Sequence, residues 1–293
     1  MSVSVNWSNP YADRRGRWYK GNLHTHTSPA SDCAKVGVER VLDLYVQAGY
    51  EFLAISDHKA LTVAARKGLV LISGVEWHSP AGEHTGIYSL DQDALKAAVA
   101  IPDHESLLGY LADKDALVIL NHPNWQATPH YRREQLDRKT PFDGIEVYNG
   151  VIERLEGSSV ATDKWDYLLA KDRRVLGFAS DDSHVEGDVG LAAIVVRSPA
   201  RNPRSILGAL RRGNFYCSTG VGVIDIRREG DLIAFRTEDG QEIQAIGQGG
   251  VLVERVRSAS MSFDISRTAG RYVRFAAYGP GSSMAWTQPF FRE

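Results

Sequence analysis

Residues 22–32 read NLHTHTSPASD, and this stretch decides how the rest of the chain is interpreted. Its first three residues complete a short run with the composition of a β-strand, Trp18–His24. His24 and His26 are two residues apart, so on a strand both side chains project to the same side. Two imidazoles on one side of a strand end are able to ligate a single cation through their neutral nitrogens. The stretch therefore predicts a metal-binding strand end early in the fold.

Polar groups follow further candidate strands along the first three quarters of the chain. These strands are Phe52–Ser56, Val70–Val75, Thr85–Leu90, Ala116–Asn121, Gly144–Tyr148, Val175–Ala179 and Leu191–Val196. Several run directly into possible metal ligands, namely Asp57-His58, Glu76, Asn121-His122 and Asp182-Ser183-His184. In a parallel barrel the carboxyl ends of the strands converge on one face, so these groups would meet around one mouth. Because buried imidazoles and carboxylates need compensating charge, a shared metal cluster is the favoured explanation.

Amphipathic segments lie between the candidate strands, as in βα units. They are Val38–Ala48, Ser106–Ala112, Thr162–Ala170 and Arg204–Arg211. Seven or eight strands with crossover helices favour a parallel barrel over an open sheet. After Gly220 the pattern changes to short alternating runs separated by turn sequences such as EGD, EDG and GQGG. We therefore expect a barrel domain over residues 1–220 and a small all-β domain over residues 221–293.

The composition excludes several classes of protein. A net charge of −2 and a pI near 6.5 give no basic surface of the kind that binds nucleic acid. The two cysteines, Cys33 and Cys217, argue against a disulfide framework and are interpreted as small, partly buried apolar residues. The N-terminal stretch lacks the apolar core of a signal peptide, and no run approaches the roughly 18 apolar residues of a membrane span. We expect a cytoplasmic protein with a small anionic substrate and neither a membrane nor a nucleic-acid partner.

As a set, these motifs resemble those of the PHP family (polymerase and histidinol phosphatase), metal-dependent phosphoesterases built on a distorted (β/α)7 barrel. The resemblance spans roughly residues 18–220 and rests on HTHTSPASD, SDH, GVE, NHP and DDSH. It implies that the metal ligands are His24, His26, Asp32, His58, Glu76, His84, His122, Asp182 and His184. By the same resemblance the first ion takes His24, His26, Glu76 and Asp182, the second Glu76, His84 and His122, and the third Asp32, His58 and His184. Neighbouring Asp181 remains an alternative to Asp182.

The resemblance also implies a reaction. Glu76 matches the carboxylate that bridges two metals, while Asp57 is expected to orient His58 or to move protons. Mixed imidazole and carboxylate ligation suits Zn²⁺, Mn²⁺ or Fe²⁺ and argues against Mg²⁺ alone. Two or three such ions would generate hydroxide from water at neutral pH. We therefore expect a metal-dependent phosphoesterase acting on a small phosphorylated molecule.

The end of the chain suggests an alternative reaction with the same metals. FYCSTG, followed by a β-rich segment ending in AWTQPFF, is similar to a branch of PHP proteins that includes a carbaryl hydrolase. That similarity implies a carbamate, ester or amide hydrolase.

Other polar residues receive smaller roles. His78, His104 and His130 do not sit at strand ends and are interpreted as surface or loop residues. Glu146 and Asn149, in GIEVYNG at a strand end, are expected either to support the ligands or to satisfy loop backbone.

Overall fold

The structure is a computed structural model that describes residues 6–126 and 130–293. The first five residues of the predicted barrel domain therefore lie outside the described part of the chain. Within that part, no helix is long and apolar enough to cross a membrane.

Seven strands form the framework that positions the site. They are β1 (Arg17–Asn22), β2 (Phe52–Ile55), β3 (Val70–His78), β4 (His84–Ser89), β5 (Ala116–Leu120), β6 (Gly144–Asn149) and β7 (Leu176–Ser180). They pair in chain order from β1 to β7. The segments just beyond β1 and β7 then meet through a parallel bridge between Thr25 and Ser183. The predicted distorted (β/α)7 barrel is therefore confirmed, and its closure lies at the carboxyl ends of the strands.

The distortion originates at β4. Strands β1 to β3 and β5 to β7 run parallel, but β4 is antiparallel to both β3 and β5. Only residues 79–83 connect β3 to β4, which is too short for the crossover of about a dozen residues that parallel strands require. The expectation of a parallel set was therefore wrong for this strand.

Helices cover the barrel. They are α1 (Val38–Gln47), α2 (Gln92–Val99), α3 (His104–Leu111), α4 (Arg133–Arg138), α5 (Thr162–Ala170) and α6 (Pro203–Arg211). Four of them, α1, α3, α5 and α6, lie in the segments that the apolar periodicity predicts, whereas α2 and α4 were not predicted. In α1, Val41, Leu42 and Tyr45 form the buried face and pack with core residues of β2. Helix α6 begins with Pro203 at its first turn, and the side chain of Asn202 caps it by accepting from the Ser205 amide at 2.9 Å.

The rest of the chain is β-rich. It contributes β8 (Ala193–Ser198), β9 (Phe215–Ser218), β10 (Val223–Glu229), β11 (Leu232–Thr237), β12 (Glu242–Gly247), β13 (Val251–Val256), β14 (Ser260–Asp264), β15 (Tyr272–Tyr278), β16 (Met284–Thr287) and β17 (Phe290–Phe291). Residues 221–293 contain no α-helix, as expected. Strands β10, β11 and β14 form a separate antiparallel sheet.

The main sheet continues across the predicted domain boundary. Strand β9 pairs with β8 on one side and β16 on the other, with Cys217 opposite Trp286. The N-terminal segment also joins the later strands, since Trp7 bridges to Arg292 and Tyr11 donates to the Phe215 carbonyl at 3.0 Å. The division between residues 220 and 221 stays a prediction.

Candidate metal centre

The segments that follow β1 and β7 bring three of the predicted ligands together, His24, His26 and Asp182. His24 and His26 are buried, and their Nε2 atoms lie 3.1 Å apart. The Oδ1 atom of Asp182 lies 3.1 Å from each of these nitrogens. The backbone holds this arrangement, since the amide of Asp182 donates to the His24 carbonyl at 3.1 Å and that of His26 to the Ser183 carbonyl at 3.0 Å. Closure of the barrel therefore assembles the site.

Glu76, on β3, lies at the centre of the cluster with only 1% of its surface exposed. Its carboxylate oxygens lie 2.9–3.4 Å from imidazole nitrogens of His24, His26, His58, His84 and His122. Burial would raise the pKa of Glu76, but the charges of nearby imidazoles outweigh it and hold that pKa well below its usual value. The carboxylate is therefore shared by several potential ligands, and their charges favour its ionised form.

Two of the predicted ligands have strained backbones. His122 and Asp182 adopt φ angles of 28° and 52°, in the left-handed region that residues other than glycine rarely occupy. Such conformations cost about 1–3 kcal/mol each and persist only where surrounding contacts enforce them. Here the amide of His122 donates to the Glu146 carboxylate at 2.7 Å. Strain of this kind clusters at functional sites.

Glu146, within β6, supports two of the predicted ligands, His24 and His122. Its Oε1 atom lies 2.8 Å from Nδ1 of His24, and its Oε2 atom accepts from the Asn149 side chain at 2.8 Å. With Nδ1–H donating to this carboxylate, the Nε2 atom of His24 is left as the electron-pair donor facing the cluster. Two roles were expected for Glu146 and Asn149, supporting the ligands or satisfying loop backbone. The structure places both residues beside ligands, as the first role requires.

Comparison of the chain with known proteins gives a fold match. No family model matches the sequence, and neither does any curated protein. A two-domain protein from Bacteroides vulgatus containing a predicted PHP-like metal-dependent phosphoesterase is structurally similar, with a TM-score of 0.53 and 16% identity over 96% of this chain and 92% of its own. This chain has a PHP fold.

Two further solved structures resemble the chain over about two thirds of its length. PsfC from Pseudomonas syringae has a TM-score of 0.50 and 16% identity, covering 66% of this chain and 88% of its own. A lesion-specific endonuclease from Pyrococcus furiosus has a TM-score of 0.52 and 11% identity, covering 67% of this chain and 56% of its own. The resemblance of the tail to the carbaryl hydrolase branch stays a prediction.

Asp57 organises the loop after β1 in this PHP fold. Its carboxylate is fully buried and accepts hydrogen bonds from the Thr27 amide and hydroxyl at 2.6 Å each, and from the Ser31 hydroxyl at 2.8 Å. Ser31 in turn contacts Nδ1 of His26 at 3.2 Å and accepts from the His58 amide at 3.0 Å. Asp57 therefore reaches both histidines through Ser31, and it does not line the cavity above the cluster.

The two neighbouring aspartates after β7 face different surroundings. Asp182 contacts the imidazoles, whereas Asp181 accepts from the amides of Gly190 and Ala192 at 2.9 and 2.6 Å and from the Tyr45 hydroxyl at 2.9 Å. Burial raises the pKa of Asp181 to about 7, although these hydrogen bonds oppose the shift. Of the two alternatives, only Asp182 lies within reach of the histidines.

The loop after β1 places Asp32 and Cys33 differently from the expectation. Asp32 is exposed and lies outside every group of candidate ligand atoms within 4.8 Å of one another. Cys33 lines the cavity above the cluster together with His58 and His184, but its sulfur likewise lies outside those groups. Burial would raise the pKa of Cys33, but these two imidazoles outweigh it and lower the pKa to about 6.

Three histidines were interpreted from the sequence as surface or loop residues. His104 begins α3 and is only 5% exposed, so that interpretation was wrong for it. His130 does lie in a loop, but it is equally buried. The ring of His130 lies 4.9 Å from that of His122, and the ring of His78 lies 5.5 Å from that of His84. Burial, reinforced by neighbouring imidazoles, lowers the pKa of His130 to about 2 and that of His78 to about 4.

A sequence signal for His78 was available. Glu76 and His78 are two apart on β3, the same spacing that singled out His24 and His26. No comparable signal marks His130, which lies in a loop and approaches the cluster only through the tertiary fold.

The donor set fits divalent cations. Candidate ligand atoms lie within 4.8 Å of one another in four groups: His26, His58 and His184; His24, His122 and Asp182; His24, His26 and Glu76; and His58, Glu76 and His84. Within the described chain, buried Glu76 Oε2, Asp182 Oδ1 and His84 Nδ1 have no hydrogen-bond partner. Buried polar atoms are nearly always satisfied, so these orphaned atoms are consistent with bound cations.

A cavity of about 370 Å³ opens directly above the cluster. Its floor includes Glu76, His58, His84, His122, Asp182 and His184, and its walls include Lys35, Arg154, Trp125, Val151, Ile152, Leu155 and Val185. This volume is that of a small-molecule pocket. The cluster is therefore accessible to a ligand of that size.

Proposed function

We propose that the protein is a cytoplasmic metal-dependent phosphoesterase that hydrolyses phosphate esters of small molecules. One observation carries this proposal: buried Glu76, whose carboxylate oxygens lie 2.9–3.4 Å from nitrogens of five imidazoles, lies on the floor of an open cavity. Such a concentration of ligand groups at the mouth of a barrel is the arrangement that metal-assisted hydrolysis requires. The fold shared with a PHP-like phosphoesterase agrees with it.

The histidines and carboxylates of the cluster would hold two or three ions, with Zn²⁺, Mn²⁺ or Fe²⁺ matching the mixed nitrogen and oxygen donors. When bound, divalent cations supply Lewis acidity toward a phosphoryl oxygen and acidify water. Glu76 holds the surrounding imidazoles in position through its carboxylate oxygens. Glu146 sets the tautomer of His24 by accepting from its Nδ1–H.

The cavity walls favour an anionic group beside an apolar one. Lys35 and Arg154 line the cavity, and Arg154 is held by Asp188 through contacts of 2.8 and 3.1 Å. A phosphate monoester presents several anionic oxygens to these cations and to the metals. The cavity volume suits a small molecule.

The apolar part of the cavity supports the second candidate, hydrolysis of an aryl carbamate or ester. Trp125, Val151, Ile152, Leu155 and Val185 form a wall beside the cluster. A neutral aromatic ester would bury its ring there and present one carbonyl oxygen to the metals. The same residues would also accept the organic group of a phosphate ester, so the wall alone does not choose between the two reactions.

An activity panel on metal-reconstituted protein tests the proposal. The kcat/KM values for p-nitrophenyl phosphate, a phosphodiester and an aryl carbamate are measured on one preparation loaded with Mn²⁺ or Zn²⁺. We expect the phosphomonoester to be preferred by at least tenfold, about 1.4 kcal/mol of transition-state binding. A tenfold preference for the carbamate would replace the proposed reaction with the second candidate. Preference for the phosphodiester would favour a nuclease-like activity.

A further inference from the structure

Tyr45, on α1, reaches the seam at which the barrel closes. Its ring lies on the buried face of the helix and packs in a hydrophobic cluster with Leu42 and Leu53. Its hydroxyl oxygen is buried and lies 3.0 Å from Oγ1 of Thr25 and 3.2 Å from Oγ of Ser183. Thr25 and Ser183 are the two residues whose parallel bridge closes the barrel. One side chain therefore contacts both sides of the seam.

Each of these two seam residues lies between a pair of proposed metal ligands. The flanking ligands are His24 and His26 around Thr25, and Asp182 and His184 around Ser183. All four ligand side chains face the cluster, whereas the two side chains between them face Tyr45. In the extended segment from His24 to His26 this division follows from the alternation of side chains. A shift of the backbone at the seam would therefore move ligands.

Asp182 has a strained backbone that Tyr45 helps to hold. Its φ angle of 52° lies in the left-handed region, and such conformations persist only where surrounding contacts enforce them. The Tyr45 hydroxyl donates to Oδ2 of Asp181 at 2.9 Å and contacts Oγ of Ser183. These are the residues immediately before and after Asp182. The hydroxyl thus helps to enforce the conformation that directs Asp182 toward the histidines.

Packing of the ring does not account for the hydroxyl. A phenylalanine would fill the same space in the hydrophobic cluster, and a buried hydroxyl costs free energy unless it is hydrogen-bonded. Here the oxygen also accepts from the side-chain amide of Asn22 at 2.8 Å, and Asn22 is the last residue of β1. The end of β1, the seam and the segment after β7 therefore meet at one oxygen atom of α1.

We propose that Tyr45 is a positioning residue of the metal centre, which acts through Asp181 and Ser183 to hold Asp182 in place as a ligand. This inference rests on the proposed metal centre, but not on the identity of its substrate. Tyr45 does not line the cavity above the cluster. Replacing it by phenylalanine leaves every proposed ligand in the chain, so a loss of metal affinity would report the position of the ligands and not their number.

Phenylalanine variants separate this role from general stability. Full-length wild type, Tyr45→Phe and Tyr50→Phe are stripped of metal, and Zn²⁺ affinity is measured by chelator competition. Tyr50 is a matched control, because it packs in the same hydrophobic cluster and its buried hydroxyl donates to the Ala192 carbonyl at 2.6 Å. We expect Tyr45→Phe to bind its weakest ion about 10- to 100-fold less tightly, as is typical when a group that orients ligands is removed. We expect Tyr50→Phe to keep the wild-type affinity, and denaturant unfolding of the metal-free proteins checks that both variants are folded.

A double-mutant cycle identifies the ligand through which Tyr45 acts. If that ligand is Asp182, Tyr45→Phe combined with Asp182→Asn should weaken Zn²⁺ binding little more than Asp182→Asn alone. Tyr45→Phe loaded with Co²⁺ should also have an altered visible absorption spectrum, because the geometry around the ion changes.

Several results would overturn this role for Tyr45. They are an unchanged Zn²⁺ affinity or cobalt spectrum in Tyr45→Phe, equal losses of affinity in the two phenylalanine variants, and fully additive losses in the cycle. If Tyr45→Phe behaves as expected but no phosphate ester is hydrolysed by the wild type, the proposed function fails and the positioning role of Tyr45 stands.

Discussion

Replacing Glu76 by glutamine is the most direct perturbation of the proposed centre. The change preserves the volume of the side chain and the hydrogen bond from the Asn121 side chain, which lies 2.8 Å from Oε1. It removes the negative charge that imidazole nitrogens approach to 2.9–3.4 Å. The variant therefore tests charge and ligation with little change in packing.

The expected loss follows from the position of this carboxylate. Removing a group that only supports a ligand typically costs 10- to 100-fold in metal affinity or activity. Glu76 is itself a candidate ligand, and it belongs to two of the four groups of ligand atoms. We therefore expect kcat/KM to fall by about 1,000-fold or more, roughly 4 kcal/mol of transition-state stabilisation, with at least one ion lost.

Elemental analysis and steady-state kinetics on the same preparations measure these two effects. Glu83→Gln is a matched control, because Glu83 lies just before β4 and pairs with Lys139 at 2.8 Å, outside the cluster. We expect that control to keep its metal content and most of its turnover. Near-normal turnover and a full metal content in Glu76→Gln would refute the central role given to this carboxylate.

Three other changes have equally specific outcomes. Glu146→Gln removes the carboxylate 2.8 Å from His24 Nδ1, and chelator competition should show metal affinity reduced about 10- to 100-fold. Burial and a neighbouring lysine lower the pKa of His104 to about 4. As the pH falls, the unfolded chain therefore protonates this histidine near pH 6.5, whereas the native state does so only near pH 4. Wild type should thus lose up to about 3 kcal/mol more unfolding free energy than His104→Gln between pH 7 and pH 4, and equal losses would contradict this. Asp166→Asn strands the buried guanidinium of Arg274, now 2.6 Å from Asp166, and should cost about 3–5 kcal/mol in denaturant unfolding; an unchanged midpoint would argue against it.

The sequence alone determined the features that depend on local periodicity. Helix α5 has the predicted bounds, Thr162–Ala170, because its apolar residues recur at helical spacing. The cores of the strands were also predictable from local sequence, because short apolar runs were bounded by turn residues. His24 and His26 could be paired because residues two apart on a strand share a side.

Only the tertiary structure decided which side chains enter the site beyond the strand ends. The sequence favoured Asp182 and left Asp181 as an alternative. In the structure, amides of the segment leading into β8 bind Asp181, which leaves Asp182 to face the histidines. In the loop after β1, the Asp57 carboxylate holds the side chain of Ser31, the residue before Asp32 and Cys33. Cys33 then lines the cavity above the cluster, whereas Asp32 does not.

The physical reason is the range of the interactions involved. Strand and helix periodicity is written in neighbouring residues, whereas the direction of a loop side chain is set by partners far away in the sequence. Thr25 pairs with Ser183 to close the barrel, and Glu146 reaches the His122 amide and Nδ1 of His24 at the same time. These contacts exist only once β1, β5, β6 and β7 have come together. The sequence therefore showed which residues have the chemistry of ligands, but not where each side chain lies in the site.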